Sequence, residues 1–265
     1  MKKRTRLIAL LLSLIMLIGC LASCDIKKPD DGEEPGGDVQ QPEEQSKGCV
    51  ITTETVFTSE NEDMKAAIEK MDSSLVTYIV DGKTSVVGSA SVGGTSVSKE
   101  YILVDGVLYA GQAATSEDYS VAIYKKAALT KEDAESFLEK VGATSFVDLT
   151  DFGTHAIDKR DNVYIYDCTE ILPASLERLE EAYLASFAAS GAAVEILDAH
   201  LVIEKTTKQV MSKKLTISFV ISMYGENYDV TMTQTSSYAY EQPVSISLPE
   251  NIDEYIDASY EEILK

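Results

Sequence analysis

The side chains best suited to chemistry in this 265-residue chain are two histidines, four cysteines and a large set of acidic and tyrosine residues. A histidine base or metal ligand needs a partner group held at a fixed distance. His155 lies in the turn-rich stretch DFGTHAIDKRD and His200 in DAHLVIEK, with no ligand spacing around either. They read as a loop histidine and a surface or edge-strand histidine. The sequence contains no GxSxG, HExxH, phosphate-loop or dinucleotide signature, so none of the nucleophile or cofactor chemistry tied to those spacings is expected. Glu180 with Glu181, and Glu261 with Glu262, are helix neighbours that do not face one another. They suit a solvated surface better than the opposed carboxylates of a glycosidase. The expectation is a chain with no catalytic residues, no cofactor and no metal. Tyr164 with Tyr166, and Tyr238 with Tyr240, are two residues apart on expected strands. Each pair shares a face and could line a groove, with ordinary cross-strand packing as the simpler alternative. Cys49 and Cys168 could form a disulfide in an oxidising compartment or remain two thiols. The absence of CxxC excludes a thioredoxin-like or zinc-ribbon arrangement.

The other two cysteines belong to a different chemistry. Lys2, Lys3, Arg4 and Arg6 precede an apolar run over residues 7–18. That run is shorter than the roughly 20 residues a membrane-crossing helix requires, and it has the layout of a targeting segment. It leads into LIGC, ending at Cys20, and LASC, ending at Cys24. Both resemble the lipobox of bacterial lipoproteins. Small Ala22 and Ser23 before Cys24 suit a narrow peptidase site better than bulky Ile18 before Cys20, so acylation is expected at Cys24, with Cys20 as the alternative. The lipobox implies a cleaved signal peptide over residues 1–24 and a lipid anchor on the extracytoplasmic face of the cell membrane. More than one acyl chain would hold a soluble domain there stably, since each buried methylene contributes about 0.8 kcal/mol.

Charge narrows the partners. With 44 acidic and 23 basic residues the net charge is −21, and it becomes more negative once the basic leader is removed. Nucleic acid is excluded as a partner because phosphate contacts need clustered Lys and Arg. An anionic membrane surface would repel the domain, which leaves the acyl anchor as the membrane contact.

Residues 25–48, rich in Pro, Gly, Asp, Glu and Gln, read as a disordered tether with too little apolar surface to fold. Residues 49–265 read as one domain. Ser59 with Glu62 suggests a capping box opening a helix through about Asp72. Strand signals follow in LVTYIV, TSVVGSASV, EYILV, VLYAG and YSVAIY, with Asp81-Gly82 and Asp105-Gly106 as hairpin turns. A second helix starts at Thr130 and runs to Gly142. After the strand NVYIYDC, a long helix over residues 173–190 carries Leu179, Tyr183 and Phe187 on its apolar stripe. The last third reads as three long antiparallel strands, VEILDAHLVIEK, KKLTISFVISM and ENYDVTMTQTSSYAY. An extended VSISLP and a short helix over residues 251–264 end the chain.

The stretch from AHLVIEKTTKQ through SSYAYEQPVSISLPENI resembles the close of the LolA and LprG-like lipoproteins, particularly small Gram-positive members of unknown function. The resemblance implies an α+β fold in which a curved antiparallel sheet, a half-barrel, packs against amphipathic helices around a cavity for acyl chains. Alternation then places Leu201, Ile203, Leu215, Ile217, Phe219, Ile221, Val230 and Met232 on the cavity wall, with Leu179, Tyr183 and Phe187 as its lid. Two functions follow as expectations. The first is a membrane-anchored binder of a lipid-like or other apolar small molecule. The second is a non-enzymatic envelope module with a filled core that engages another envelope protein.

Overall fold

The computed structural model describes residues 46–68, 71–92, 95–140, 158–159, 162–167, 194–223 and 226–264. Two meanders make up the fold. The first runs through β1 (Ser46–Thr58), β2 (Met71–Val80), β3 (Lys83–Val92), β4 (Thr95–Val104), β5 (Val107–Thr115) and β6 (Ser120–Ala128). The second comprises β7 (Asp158–Lys159), β8 (Val163–Asp167), β9 (Val194–Glu204), β10 (Val210–Met223) and β11 (Glu226–Val244). Each strand pairs antiparallel with its sequence neighbour within its meander, and β1 pairs with β11 along almost its whole length. The result is one 12-stranded sheet in the order β12-β6-β5-β4-β3-β2-β1-β11-β10-β9-β8-β7, where β12 (Ile256–Asp257) joins the β6 edge in parallel.

The turns explain why the first meander is so regular. Asp81 and Gly82 have φ of 49° and 73°, and Asp105 and Gly106 have 52° and 74°. Two consecutive positive φ values define the I′ turn, whose twist matches that of the flanking strands.

Three helices are present among the described residues: α1 (Glu62–Ile68), α2 (Lys131–Lys140) and α3 (Tyr260–Leu264). Helix α1 is shorter than the expected helix because the chain from Met71 onward is held in β2 by pairing on both sides. Its cap also differs. Asn61 Oδ1 accepts from the N–H groups of Asp63 and Met64 at 3.1 Å each, while the Ser59 hydroxyl donates to the Asp229 carbonyl. The expected cap at Thr130 is present, with its Oγ1 accepting from Asp133 N at 3.1 Å and donating to Asp133 Oδ2 at 2.8 Å. At the C-terminus the expected 14-residue helix is broken into a 3-10 turn (Ile252–Glu254), β12 and α3. Ala258 N–H donates to Lys126 O at 2.9 Å, and this long-range pairing outweighs local helical preference. The VSISLP segment leaves the ladder after Val244, and Ile246 packs instead on Val80, Ile102 and Val104.

These observations overturn the α+β half-barrel. Among the described residues the architecture is mostly β, an open sheet whose two edges do not pair with each other, with three short helices. The cause is the β1–β11 seam, which fuses both meanders into one wide ladder instead of leaving a curved sheet to be closed by helices. The long helix expected over residues 173–190 lies outside the described residues.

The core sits on both sides of the sheet. On one face, Phe137 of α2 and Ile263 of α3 pack with Val86, Tyr101, Leu103 and Leu108. The Tyr101 and Phe137 rings lie 5.9 Å apart, tilted at 60°. Further across the same face, Ile51, Leu201, Ile203, Val210, Tyr166 and Tyr238 form a second cluster. Val80, Ile102, Val104 and Val244 form the third on the opposite face.

Candidate functional site

Cross-strand register decides which side chains share a face. Ile51 stands opposite Tyr238, Thr53 opposite Ser236, Thr55 opposite Gln234 and Phe57 opposite Met232. Met232 in turn faces Ile217, Val230 faces Phe219, and Gln234 faces Leu215. A bulge at Met211 turns that residue outward and keeps Val210 in line with Ile203, and Lys213 in line with Leu201. The structure therefore brings Leu201, Ile203, Leu215, Ile217, Phe219, Val230 and Met232 together on one face, as alternation predicts. The Ile221 side chain and Leu179, Tyr183 and Phe187 lie outside the described residues.

That face is filled around Ile203, Ile217 and Met232, while Leu215 is half-buried. Ile203, Ile217 and Met232 are 0% exposed, Val230 is 1% and Phe219 is 2%. A side chain that no water-sized sphere can touch adjoins no void large enough for an acyl chain.

Polar groups interrupt the apolar face in a way the sequence reading missed. Thr53 Oγ1 and Ser236 Oγ lie 2.9 Å apart in a buried hydrogen bond. Next to them Gln234 is 3% exposed, and neither its Nε2 nor its Oε1 has a hydrogen-bond partner. The Lys213 ammonium nitrogen is also buried and sits 5.6 Å above the Tyr238 ring. The signal was present in the sequence: Gln234 and Ser236 fall at the inward positions of β11, in phase with Val230 and Met232.

The tyrosine pairs settle at one end of this face. Tyr238 and Tyr240 stack at 6.5 Å and 19°, and Tyr164 and Tyr166 meet edge-on at 6.3 Å. Tyr240 donates to the Val210 carbonyl at 2.9 Å, and burial pushes its phenol well above the usual range. Tyr166 is raised as well, by burial first and the Tyr164 phenol second. Lys205 and Lys208 lie 5.1 and 5.4 Å from the centre of the Tyr164 ring. Cys49 packs in this cluster as a free thiol, and burial pushes it up to about 11. It is therefore protonated and inert near neutral pH. Cys168, Cys20 and Cys24 lie outside the described residues.

A groove of about 700 Å³ opens beside α1, at the ends of β1, β10 and β11. Of the predicted wall only Phe219 and Val230 reach it. Thr58, Ser218, Val220, Asp229 and Thr231 are cross-strand neighbours on the opposite face, and Ser59, Glu60 and Lys65 complete the rim. Two carboxylates, one ammonium and several hydroxyls line this groove beside an apolar share of similar size from Phe219, Val220 and Val230, a mixed lining suited to a peptide segment.

His200 lies on the outer side of β9. Its Nε2 is 2.7 Å from Asp198 Oδ1, and Asp198 Oδ2 accepts from Lys214 Nζ at 2.9 Å. This is a partly exposed ion-pair cluster. His155 lies outside the described residues. Among the described residues no group of three His, Cys, Asp or Glu could hold a metal ion, and no helix is long and apolar enough to cross a membrane.

No protein-family model matches the chain, and no curated protein matches it.

Proposed function

We propose that this chain is an extracytoplasmic lipoprotein, anchored through Cys24, whose domain acts by engaging another component of the cell envelope at the α1 groove. The observation that carries this reading is the packing of Ile203, Ile217 and Met232 at 0% exposure, which leaves the apolar face no room beside them for a lipid-like ligand. Among the described residues, the groove beside α1, with Glu60, Lys65 and Asp229, is an open concavity that could receive such a component. The lipobox supplies the anchor and residues 25–45 supply the reach.

A photo-cross-linking side chain at Asp229, introduced in living cells, tests the site. A discrete adduct with one envelope component, absent when the same group replaces exposed Val87 on β3, is the expected result. Equal or no labelling from both positions would overturn the groove as the binding surface. The anchor has its own test: Cys24→Ala, and then the double variant with Cys20→Ala, should move the protein from the membrane to the soluble fraction.

A further inference from the structure

Among the described residues, the β6 edge presents both an unpaired ladder and an apolar surface. Because Lys126 O accepts from Ala258 N–H, the carbonyl of Lys126 points away from β5. Backbone groups alternate along a strand, so Ser120, Ala122 and Tyr124 also direct their N–H and C=O groups outward. Strand β12 covers this edge only at Lys125 and Lys126, and among the described residues no strand pairs with the outer side of Ser120 to Tyr124. On one face of the same stretch Tyr119, Val121 and Ile123 are 50%, 54% and 50% exposed. Their neighbours on β5, Ala114 and Gln112, are too short or too polar to cover them. An edge with unpaired backbone and protruding β-branched side chains is a template for strand addition.

We propose that β6 pairs antiparallel with β6 of a second copy of this chain, with Val121 opposite Val121 across a two-fold axis. Charge selects this occupant. Glu117 and Asp118 precede the apolar stretch, whereas Lys125 and Lys126 follow it. Antiparallel pairing of two copies brings the acidic end of each strand to the basic end of the other, while parallel pairing sets like charges side by side. The register is selected by the exposed apolar side chains. A pairing centred on Ala122 would set Tyr119 opposite Lys125, which β12 covers, and would leave it without an apolar partner. Centring on Val121 sets Tyr119 against Ile123 of the other copy and Ser120 against its Ala122, short of β12. All six exposed apolar side chains then meet on one face, and the isologous contact closes at two chains instead of growing into a fibre.

Sedimentation velocity on the full chain should show a dimer. Val121→Lys, which places two ammonium groups against each other, should abolish that dimer while the circular dichroism spectrum stays unchanged. Val87→Lys, on β3, should leave the dimer intact. Oxidised Val121→Cys should give a covalent dimer of the chain, and Val56→Cys, equally exposed on β1, should not. A parent that stays monomeric at every concentration, a dimer indifferent to Val121→Lys, or a Val121→Cys disulfide to a different protein would each overturn the proposal. The groove cross-link is read at a different surface, so either result stands without the other.

Discussion

The two meanders of this sheet bury their shared face differently. In the first, α2 and α3 lie on β3 to β6, and the large side chains beneath them, Val86, Tyr101, Leu103 and Leu108, are apolar. In the second, strands of 11, 14 and 19 residues carry the face, and its apolar positions alternate with Ser236, Gln234 and the Lys213 ammonium. The polar groups that the first meander buries among the described residues are threonines, Thr53, Thr77 and Thr84, which are small and keep a methyl. A hydrophobic face covered by helices reaches low energy with apolar packing alone. The strand-rich half retains an unpartnered amide that costs free energy where it stands. Among the described residues the first meander therefore packs its face almost wholly with apolar side chains, whereas the second buries a polar set that includes an amide without a partner.

Removing the anchor of the better-packed half should have the largest effect. Phe137→Ala deletes the α2 side chain that packs on Tyr101, and chemical denaturation should show a loss of about 3–5 kcal/mol. In the other half the sign reverses: Gln234→Leu removes a buried amide without partners and should raise stability by about 1–3 kcal/mol. A loss from Gln234→Leu would erase the contrast between the halves. The seam joining them can be broken at Gly48, where an added Cβ would run into the Ile79 carbonyl oxygen. Gly48→Ala should cost about 1–3 kcal/mol by overpacking and should disturb hydrogen exchange in β1, β2 and β11 before that in β4 and β5.

The smallest effect is a pH dependence in the turn between β9 and β10. Glu204 Oε2 accepts from the Thr206 amide at 2.9 Å, from the Thr207 amide, and from the Thr207 hydroxyl at 2.8 Å. These bonds to Thr207 hold the carboxyl down at about 2. Because this value is depressed below the unfolded one, its stabilisation is present above about pH 4.3 and is lost as pH falls toward 2. Glu204→Gln should flatten the acid limb of a stability titration in that window, leaving the variant less stable than the parent at neutral pH and converging with it as pH falls toward 2.

Local features were legible in the sequence, and long-range pairing was not. Alternation located β2 to β6 and β8 to β11 but named no strand at β1, and Asp81-Gly82 and Asp105-Gly106 marked two hairpins, because turn chemistry is written in adjacent residues. The shared face of Leu201, Ile203, Leu215, Ile217, Phe219, Val230 and Met232 was legible for the same reason. The β1–β11 seam joins residues some 180 positions apart, and no local pattern announces it. With the seam unseen, Ser46, Lys47 and Gly48 read as tether, although they open β1. A curled sheet closed by helices was then the natural expectation. The C-terminal segment failed likewise: YIDASYEEIL has helical spacing, but pairing of Ile256 and Asp257 with Lys125 and Lys126 holds its first part extended. The groove escaped notice because its lining is assembled from the ends of three strands and a short helix, whose meeting depends on that same seam.

The filled apolar face is the claim on which the functional reading rests, and native mass spectrometry of the protein without detergent, freed of the proposed anchor by proteolysis within residues 25–45, tests it most directly. A bare polypeptide mass is expected, with no saturable binding of a fluorescent fatty acid to the same sample. One lipid retained per chain, lost on substituting Ile217 or Met232 with a larger side chain, would contradict it.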